Sequence, residues 1–429
     1  MVSDGWFNKR FDQCADLIRE TVNPTEIDIV PYIGLEHIAQ ESLYLVGCGT
    51  SGDVSSAKTR FNKGDILFGK LRPYFRKVII APFDGVCSTD IWVVRCKPGT
   101  DQRFLFYWMA SQEFVEESTR SSDGTRMPRA QWECVSRIEK PIPPIQEQQA
   151  IACILGALDD KIELNRQMCK TLEDTAQAIF KSWFVDFDPV HAKAAGKQPK
   201  GMNSEIAALF PDSFEDTDQG SIPKGWSIRS IGEMVKVYGG GTPSTRELNY
   251  WIDGIHPFCT PKDMAALPEP ILLSTERKIS DYGLAKISSG QLPIGTVLLS
   301  SRAPIGYLAI SRIPVSINQG IIAMVCDFRF PNIYALHWTK TNLGMIVSQA
   351  NGSTFLEISK NNFRLIKAIV PTVEVLNSFM GLVEPLYLGI ESLLLENELL
   401  NAMRDELLPK LISGNLRIRD AEKIVGRSV

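Results

Sequence analysis

The sequence lacks the motifs that mark most metal and redox sites. It has only four histidines in 429 residues and no Cys-x-x-Cys pair, whereas a zinc site needs several such ligands at short, characteristic spacings. Its nine cysteines are scattered along the chain. The histidines and cysteines are His37, His191, His256 and His337, and Cys14, Cys48, Cys87, Cys96, Cys134, Cys153, Cys169, Cys259 and Cys326. We therefore expect buried free thiols in a reducing cytoplasm and no metal site.

The sequence also lacks a strong charge of one sign and a long apolar run. Lysine and arginine number 46 against 50 aspartates and glutamates, which gives a net charge of −4. This balance excludes a generic cationic coat, so any contact with nucleic acid must come from local basic surfaces. The N-terminal MVSDGWFNKRFDQ has no apolar signal region, and no run approaches the roughly 18 apolar residues of a membrane span. We expect a soluble, cytoplasmic protein with no membrane partner.

Catalytic motifs are missing as well. The stretch GGGTPS (239–244) lacks the lysine of a phosphate-binding loop and does not run into an obvious helix. We find no G-x-G-x-x-G in a strand–turn–helix setting, no G-x-S-x-G, and no Asn/Asp-Pro-Pro-aromatic loop for a flipped base. Paired carboxylates such as Asp159-Asp160 and Glu116-Glu117 are typical of solvated faces. The residues thus predict a chain without catalytic activity.

What the sequence does contain is an internal repeat. FNKGDILFGKLRPYFRKVIIAP, in the first half of the chain, is matched by LPIGTVLLSSRAPIGYLAISRIP in the second half. Glycines and prolines recur in the same order in both halves, and the pairs are Gly5/Gly225, Gly64/Gly295, Pro73/Pro304, Gly124/Gly352 and Pro143/Pro371. A tryptophan follows the first glycine of each copy, at Trp6 and Trp226. The separation between partners drifts along the chain, which indicates a diverged tandem duplication with insertions in loops.

Each copy combines short strand-like runs with one long helical segment. DILFGKL, KVIIAPF and DIWVVRC in the first copy, and GTVLLSS, GYLAIS and GIIAMVC in the second, are typical of β-strands joined by turns. Each copy then ends in an apolar seam with heptad spacing. The seam of the first copy is Ile151, Leu155, Leu158, Ile162, Asn165, Cys169, Leu172, Ala176, Ile179 and Trp183. That of the second is Phe379, Val383, Leu386, Ile390, Leu393, Asn397, Leu400, Arg404, Leu407 and Leu411.

A helix over residues 145–187 would be on the order of 60 Å long, and neither copy offers a core large enough to cover it. We therefore expect the two helices to pair antiparallel through their apolar seam residues, with a globular domain at each end. The alternative is that each helix packs only on its own domain. Asn397 and Arg404 interrupt the second seam, and Pro385 must kink or begin its main helix.

The fold class that follows is α+β. Two mixed α/β domains related by an internal repeat are separated by two long antiparallel coiled-coil helices. The expected boundaries are a first domain at 1–143, a first long helix at 144–187, a linker at 188–221, a second domain at 222–371, a second long helix at 372–414 and a C-terminal tail at 415–429. The linker is rich in Pro, Gly, Lys and Asp.

Five stretches, in this order and combined with the repeat, carry a family resemblance. They are PIPPIQEQQAIACILGALDDKIELN, WFVDFDPV, LFPDSFEDTDQGSIPKGW, GGGTPS followed by YWIDGIHPFCTPKDM, and MRDELLPKLISGNLRI. They look like the start and end of a first long helix, the entry to a second domain, the opening of a target-recognition domain and the end of a second long helix. Over nearly the whole chain, the sequence resembles the DNA-specificity subunit of type I restriction–modification systems.

The resemblance implies two target-recognition domains, each reading one half of a bipartite site on double-stranded DNA, and helices that set the unread spacer. It implies two modification subunits as partners, docked largely on the helices, and restriction subunits that join to form the nuclease complex. It also implies that this subunit is not catalytic. No cofactor is expected in this chain, since S-adenosylmethionine, ATP and Mg²⁺ would belong to the partner subunits.

The best local cationic stretch of the first copy is KTRFNKGDILFGKLRPYFRK (58–77), where Asp65 is the one acid. Phosphate contacts supply most DNA affinity, whereas side chains at base edges read sequence. The candidates for DNA contact here are Lys58, Arg60, Lys63, Lys70, Arg72, Arg76 and Lys77. The loop STRSSDGTRMPRAQW adds Arg120, Arg126 and Arg129, which could reach guanine O6 and N7. The alternative is an ordinary solvated face beside strands.

In the second copy, SSRAPIG and SINQG occupy the same stations as GKLRPYF and CSTDI. Arg302 and the pair Asn318-Gln319 are candidate readers, because Asn and Gln suit adenine N6 and N7, although Asn318-Gln319 could equally be a simple turn. Weaker candidates are Thr242, Ser244, Lys262, Ser353, Thr354 and Lys360. The glycines of GGGTPS are expected to permit a tight turn and a close backbone approach, in one interpretation to a DNA phosphate.

Two other functions stay open at this point. One is a coiled-coil scaffold or adaptor with two ligand-binding domains and no DNA. The other is a self-contained restriction–methylation enzyme, which the missing catalytic motifs disfavour.

Overall fold

The computed structural model describes residues 5–124, 126–218, 220–352 and 356–426. Two of the predicted DNA-contacting residues, Ser353 and Thr354, lie outside the described residues. The chain forms two compact units that do not follow the linear domain boundaries. Unit one comprises the described residues up to Leu164 together with those from Glu396 onward, and unit two comprises Asn165–Leu395. Each unit therefore contains one globular domain and part of both long helices.

The globular part of unit one is built on two sheets. A four-stranded antiparallel sheet has the spatial order Ala15–Ile18, Ile91–Cys96, Ile66–Gly69, Val78–Ile80. A five-stranded mixed sheet has the order Thr21–Val22, Lys58–Phe61, Gly85–Cys87, Pro31–Ile33, Gly49–Thr50, and Phe7–Arg10 pairs with Glu139–Ile142. The short helices are Phe11–Cys14, Gln102–Ala110, Gln112–Arg120, Trp132–Val135 and Ile418–Val425, with 3-10 turns at Pro24–Glu26, Leu35–His37, Ser51–Asp53 and Pro73–Phe75.

Unit two has a larger first sheet, with the spatial order Lys236–Gly239, Ile321–Val325, Val297–Ser301, Ile305–Ser311, Ile271–Leu272. Its second sheet has the order Arg277–Ile279, His256–Cys259, Ser316–Ile317, while Phe214–Thr217 pairs with Gly220–Pro223 and Ser227–Ser230 with Lys367–Val370. The short helices are Asp188–Ala194, Ser204–Ala208, Ile231–Met234, Pro261–Ala265, Asp281–Leu284, Asn332–Thr341, Leu343–Ser348 and Lys360–Leu365, with a 3-10 turn at Leu248–Tyr250.

The duplication predicted from the sequence is confirmed by strand pairing. In unit one, Ile66 pairs with Ile80 across an antiparallel ladder, and in unit two Val297 pairs with Ile310 in the same way. These two pairs lie at corresponding positions, just after the repeated glycines Gly64 and Gly295. The strand that enters each domain also pairs antiparallel with the strand that leaves it. The mixed α/β architecture of both domains is thus the product of one repeated topology.

The two long helices span Ile145–Phe184 and Val373–Ile412. In unit one, the Asn397 side-chain amide donates to the Ile162 carbonyl oxygen at 3.4 Å, and Arg404 pairs with Asp159 at 3.0 Å. In unit two, the Cys169 thiol donates to the Ile390 carbonyl oxygen at 3.9 Å. Residues nearer the C-terminus of the first helix thus contact residues nearer the N-terminus of the second. The helices therefore pair antiparallel within each unit.

Most of the predicted seam is buried between the helices and the domains. Leu155, Leu158 and Leu411 are fully inaccessible, and Phe379, Val383 and Ile390 are equally so in unit two. Four predicted seam residues, Leu172, Ile179, Leu386 and Leu393, are only partly buried but still pack on the core of unit two. Their sequence neighbours Phe180, Tyr387 and Leu394 are the more deeply buried side chains. In these places the most buried face of the helix is turned by one residue from the predicted seam, because the globular domain covers the helix from one side.

The expectation for Pro385 is wrong in one respect, since this proline does not begin the second long helix. The helix starts at Val373 and continues through Pro385 without interruption. A proline removes the hydrogen bond to the carbonyl one helical turn earlier, here that of Gly381. Both residues lie on the exposed side of the helix, where water can bind the freed carbonyl.

The second long helix is also the one described segment that passes a length-and-composition test for crossing a membrane. An 18-residue window within it has a mean hydropathy of 1.3, and 28% of that window is buried in the protein. The expectation that no segment approaches a membrane span therefore does not hold for this helix. A single such helix is weak evidence for a membrane span, and core helices of soluble proteins pass the same test. Here Phe379, Val383 and Ile390 belong to the core of unit two.

The cysteines are less uniform than the sequence suggests. All nine are free thiols, but Cys48, Cys134 and Cys153 are exposed, so burial describes only part of the set. Within the described residues, no three His, Cys, Asp or Glu side chains are grouped as metal ligands would be.

Candidate nucleic-acid interface

In unit one, three loops meet at one end of the four-stranded sheet. The Lys70 N–H donates to the Asp90 carbonyl oxygen at 2.9 Å, and the Lys70 carbonyl accepts from the Ala130 N–H at 2.9 Å. The Arg72 N–H donates to the Pro128 carbonyl oxygen at 2.8 Å. These bonds join the turn after strand Ile66–Gly69, the loop before strand Ile91–Cys96 and the segment of residues 126–130. We call this meeting point the loop junction of unit one.

Unit two contains an equivalent junction, in which two of these three main-chain hydrogen bonds recur. The Ser301 N–H donates to the Gly320 carbonyl oxygen at 2.8 Å, and the Ser301 carbonyl accepts from the Ile358 N–H at 3.0 Å. In the repeat, Ser301 corresponds to Lys70, Gly320 to Asp90 and Ile358 to Ala130. The three loops of unit two are therefore the structural counterparts of those in unit one.

Both junctions hold a non-glycine residue in the left-handed backbone region, directly before the repeated proline. Arg72 has φ 50° and Ala303 has φ 52°. Such a conformation costs of order 1–3 kcal/mol for an L residue and persists only where the surroundings enforce it. Strain of this kind clusters at functional sites, so its recurrence marks the junctions as candidates for binding.

Three of the predicted basic residues of the first copy come together at the junction of unit one: Lys70, Arg72 and Arg129. The Arg129 guanidinium binds the Asp90 carboxylate through two hydrogen bonds, Nε to Oδ1 at 2.8 Å and Nη2 to Oδ2 at 3.3 Å. The side chain keeps 44% of its surface exposed. Asp90 fixes the direction in which Arg129 points, while the outer edge of the guanidinium stays accessible.

Two lysines of the cationic stretch use their amines within the protein. The Lys58 side chain is 5% exposed and donates to the Ser56 carbonyl oxygen and hydroxyl, each at 2.7 Å. The Lys77 amine donates to the Leu35 carbonyl oxygen at 2.5 Å. Burial lowers the pKa of both amines. In this arrangement neither amine faces a phosphate, so the run of charge in the sequence overstates the cationic surface.

The remaining basic residues of the first copy are dispersed. Arg60 pairs with Glu20 at 3.1 Å, and Lys63 lies at the opposite end of strand Ile66–Gly69 from Lys70. Arg76 reaches Asp405 of the second long helix at 3.4 Å. Arg120 pairs with Glu117 at 2.6 Å, whereas Arg126 is exposed in the segment of residues 126–130. Proximity along the chain did not translate into one surface.

In unit two, the glycine-rich loop joins the junction from a separate part of the chain. The Gly241 N–H donates to the Ile317 carbonyl oxygen at 3.0 Å, and the Thr242 hydroxyl donates to the Gln319 side-chain oxygen. A Cβ at Gly240 would lie 2.0 Å from the Asn318 carbonyl oxygen. Gly240 is thus required for a close backbone approach, as the sequence predicted, and what it approaches is the backbone of residues 317–318.

Most other predicted residues of the second copy surround that contact. Arg302 approaches Glu357 at 3.6 Å, and its Nε would lie 3.4 Å from a Cβ at Gly320. The Asn318 side-chain oxygen accepts a hydrogen bond from the Gly320 N–H at 2.8 Å. This oxygen therefore stabilises a local turn, which was the alternative to base reading for Asn318. Gln319 is exposed, and the stem of Lys360 passes 3.9 Å from a Cβ at Gly239.

The glycine-rich loop is also anchored by an aromatic contact that the sequence analysis missed. The Trp251 indole N–H donates to the Ser244 carbonyl oxygen at 3.1 Å, and the Arg277 guanidinium lies 3.6 Å from the centre of the Trp251 ring. Arg277 and Lys278 are exposed, while Lys262 pairs with Glu276 at 2.6 Å. The basic run from Arg277 to Lys286 was the signal available in the sequence.

The carboxylate pair Asp159-Asp160 corrects a second expectation, because Asp159 is not a solvated residue. It accepts hydrogen bonds from Tyr107 at 2.5 Å and Arg404 at 3.0 Å, and Arg404 is itself only 2% exposed. Burial raises the pKa of the Asp159 carboxyl against the opposing attraction of Arg404. The position lies beside the helix seam, where the partner helix and the domain exclude water.

Unit two contains a carboxyl group that titrates near neutrality, which gives a testable pH dependence. Burial, and then the nearby Glu173, raise the pKa of Glu269 to about 7. Asp174 also opposes ionisation, whereas Lys340 and Arg166 favour it. The native state then holds a proton that the unfolded state has released between about pH 4.5 and 7, so this residue lowers stability as pH rises through that window.

We expect Glu269→Gln to remove this loss. Relative to the wild type, the variant should gain about 1–2 kcal/mol between pH 5 and pH 8, discounted for partial exposure. That gain corresponds to roughly 2–8 °C in the unfolding midpoint of a unit of this size. Thermal unfolding followed by circular dichroism at both pH values measures it. The exposed Glu205→Gln is the control, and equal behaviour of both variants would contradict the assignment.

The sequence matches a known protein family over most of its length. Residues 25–174 and 223–375 match the family "Type I restriction modification DNA specificity domain". The type I restriction enzyme HindI specificity subunit of Haemophilus influenzae is 29% identical over 413 residues, covering 84% of this chain and 88% of that protein. The MjaIX specificity subunit of Methanocaldococcus jannaschii is 27% identical over 374 residues, covering 84% and 79%.

The fold of this chain is similar to that of a solved structure. The type I restriction–modification system S subunit from M. genitalium has a TM-score of 0.56 with this chain at 16% identity, and the match covers 96% of each chain.

Proposed function

Because this chain belongs to the type I restriction modification DNA specificity family, we propose that it is the subunit that selects the DNA site of a restriction–modification complex. Each globular domain reads one half of a bipartite site in double-stranded DNA. The paired long helices set the length of the unread spacer between the halves. The chain itself is the non-catalytic specificity subunit.

The observation that carries the proposal is the repeated loop junction. Two junctions that share two main-chain hydrogen bonds give two equivalent places for side chains to meet DNA, which suits a site with two separate halves. Each junction also holds one arginine next to a carboxylate, Arg129 with Asp90 and Arg302 with Glu357. An arginine held in this way can present its outer edge to guanine O6 and N7, the most common specific contact in the major groove.

We therefore assign base reading to Arg129 in unit one and Arg302 in unit two. Lys70, Arg72 and the exposed Arg277 and Lys278 supply phosphate contacts, which position the duplex without reading it. We assign recognition of an adjacent base to Gln319, which is exposed and precedes Gly320 in the loop that contacts Arg302.

Replacing Arg302 by alanine should relax recognition at one position of one half-site. The loss of discrimination should be about 1–3 kcal/mol, because one bidentate contact to a base edge disappears. Genome-wide mapping of methylated bases in a strain carrying the variant and its modification subunit measures this. Arg329→Ala removes a similarly exposed arginine held by Asp327, outside the junction, and should leave the site unchanged. A change confined to the other half-site would refute the assignment.

The partners of the complex are a further part of the proposal. Two modification subunits dock on the long helices, and restriction subunits join them. Large apolar side chains stand exposed on both helices, and such residues on a soluble surface mark protein contacts. They are Leu164, Met168, Leu382, Leu388, Leu395 and Leu399. Their coverage by partner subunits also accounts for the high hydropathy of the second helix in a protein that we place in the cytoplasm. S-adenosylmethionine, ATP and Mg²⁺ bind in the partner subunits.

A mobility-shift experiment separates this function from a scaffold that does not bind DNA. The purified chain, with and without its modification subunit, is incubated with duplexes that carry or lack the methylated site found by genome mapping. We expect the complex to retard the duplex with the site in preference to the one without it. Binding that does not depend on the site sequence, or methyl transfer by the isolated chain, would each overturn the proposal.

A further inference from the structure

A buried polar triad joins the first domain to both long helices in unit one. Tyr107 lies on the domain helix Gln102–Ala110, Asp159 on the first long helix and Arg404 on the second. The Tyr107 hydroxyl donates to Asp159 Oδ2 at 2.5 Å, and Arg404 Nη1 donates to Asp159 Oδ1 at 3.0 Å. Tyr107 and Arg404 are 1% and 2% exposed. The three elements thus meet through charge and hydrogen bonds, and of the three side chains only Asp159 keeps appreciable exposure, at 21%.

The same domain helix makes a second polar contact one turn earlier. Arg103 binds Asp160 of the first long helix at 3.2 Å through Nη1, and it crosses that helix at Gly156. A Cβ at Gly156 would lie 2.7 Å from Arg103 Nη1. The crossing therefore depends on a glycine inside the long helix, although glycine weakens a helix by about 1 kcal/mol relative to alanine.

Unit two has a different buried triad at the equivalent place. His337 lies on the domain helix Asn332–Thr341, Glu173 on the first long helix and Tyr387 on the second. The Tyr387 hydroxyl donates to Glu173 Oε2 at 2.5 Å and contacts His337 Nε2 at 3.1 Å. All three residues are at most 5% exposed. Lys340 adds a bond to Glu173 at 3.3 Å from the same domain helix.

The proton positions in the second triad follow from its geometry. The Tyr387 hydroxyl has one proton and uses it to donate a hydrogen bond to Glu173. His337 Nε2 must therefore be the donor in the hydrogen bond to the Tyr387 oxygen. Burial lowers the pKa of His337 to about 4, which keeps the ring neutral at physiological pH. Within the described residues, His337 Nδ1 has no hydrogen-bond partner. The second triad therefore leaves one buried acceptor, His337 Nδ1, unsatisfied.

The two triads occupy matching positions of the repeat. His337 is the counterpart of Tyr107, and Tyr387 is the counterpart of Asp159. Arg404 corresponds to Ala176 of the first long helix, a small apolar residue of the seam. Unit two has this apolar side chain at the equivalent position, and its third polar member, Glu173, lies three residues earlier on the same helix. Each unit thus places a polar group within one helical turn of this position.

Buried polar groups of this kind add little to stability. Replacing a buried ion pair with apolar residues of similar volume is often neutral or stabilising, whereas hydrogen bonds between defined buried atoms favour one arrangement over neighbouring ones. An apolar contact between a domain helix and two long helices can slide or rotate by small amounts. A hydrogen bond between defined atoms cannot do so without leaving buried groups unpaired.

We propose that the two buried triads, Tyr107–Asp159–Arg404 and His337–Tyr387–Glu173, are positioning sites that fix how each domain is seated on the long helices and thereby narrow the range of spacer lengths accepted. The inference rests on the proposed function, since it concerns how accurately two half-sites are held at one separation. None of the six residues contacts DNA in this scheme.

The test combines three substitutions in unit one, Tyr107→Phe, Asp159→Leu and Arg404→Met, in the complex with the modification subunit. Substrates carry both half-sites mapped for the wild type, with the spacer at its native length or changed by one base pair. We expect an unfolding midpoint within a few degrees of the wild type and unchanged half-sites. The preference for the native spacer in methyl-transfer rate should fall roughly tenfold, which corresponds to about 1.4 kcal/mol.

A second variant covers the case in which the triple substitution does not fold. Tyr387→Phe removes only the hydroxyl between Glu173 and His337 and should lower the spacer preference by a few fold. Tyr282→Phe removes the hydroxyl of a tyrosine that is 73% exposed in the same unit and is the matched control. Folded variants that keep the wild-type spacer preference would overturn the positioning role. A wild-type complex that methylates no bipartite site would instead refute the proposed function.

Discussion

Replacing Leu158 by aspartate should unfold the helix pairing of unit one and abolish association with the modification subunit. Leu158 is fully inaccessible and belongs to the core that also contains Leu155, Leu400 and Leu407. An ionised carboxylate there loses its hydration without gaining a partner, and the leucine contacts are lost as well. The expected destabilisation exceeds about 4 kcal/mol, a large part of the stability of a typical domain. Adding Ile162→Asp should remove any residual pairing.

Ala157→Asp is the matched control for this change. Ala157 precedes Leu158 on the same helix turn but is exposed, so the added charge stays hydrated. Thermal unfolding by circular dichroism and size-exclusion chromatography with the modification subunit measure both variants. We expect the control to melt and assemble almost as the wild type does. Normal assembly of Leu158→Asp would show that the helices do not depend on this seam.

Inserting one heptad into both long helices should change the spacer and leave the half-sites unaltered. The insertion points are between Leu164 and Asn165 and between Leu395 and Glu396, where the two compact units divide. The internal contacts of each unit are then preserved. Seven residues add about 10 Å of helix at about 1.5 Å per residue, equivalent to about three base pairs at about 3.4 Å each. Mapping methylated bases genome-wide gives both half-sites and the spacer in one measurement.

Insertion into only one helix serves as the control. The contact of Asn397 with Ile162 and that of Cys169 with Ile390 cannot then both be kept, because only one helix has lengthened between them. This variant should therefore fail to assemble an active complex. If the double insertion changes a half-site while keeping the spacer, base reading does not reside in the globular domains. The assignment of the junction arginines would then fail together with the role of the helices.

The duplication and the helix seam could be read from the sequence because both depend on local pattern. Repeated glycines and prolines mark turns whose backbone geometry few other residues adopt, and heptad spacing shows which side chains share a face. The partner that GGGTPS approaches could not be identified in this way. Gly240 lies against Asn318, which belongs to a distant part of the chain, and no local pattern identifies the backbone that a glycine must approach.

Charged residues could likewise be located in the sequence, but their contacts could not. The run of cations in residues 58–77 was visible in the sequence, but the structure turns Lys58 and Lys77 into internal donors and gathers Lys70, Arg72 and Arg129 from two separate loops. Asp159, expected in solvent, keeps only 21% of its side chain exposed and accepts hydrogen bonds from Tyr107 and Arg404. The energy of a charge depends on its solvent exposure and its partners, and both are fixed by residues distant in sequence.

The sequence by itself determined the two-copy α+β organisation and the faces of the long helices, because periodicity and turn residues act over a few residues at a time. The tertiary structure alone decided which side chains meet at the two loop junctions and which polar groups join the domains to the helices. Those contacts pair residues as far apart as Asp159 and Arg404, and only the folded chain selects one partner among many of the same chemistry.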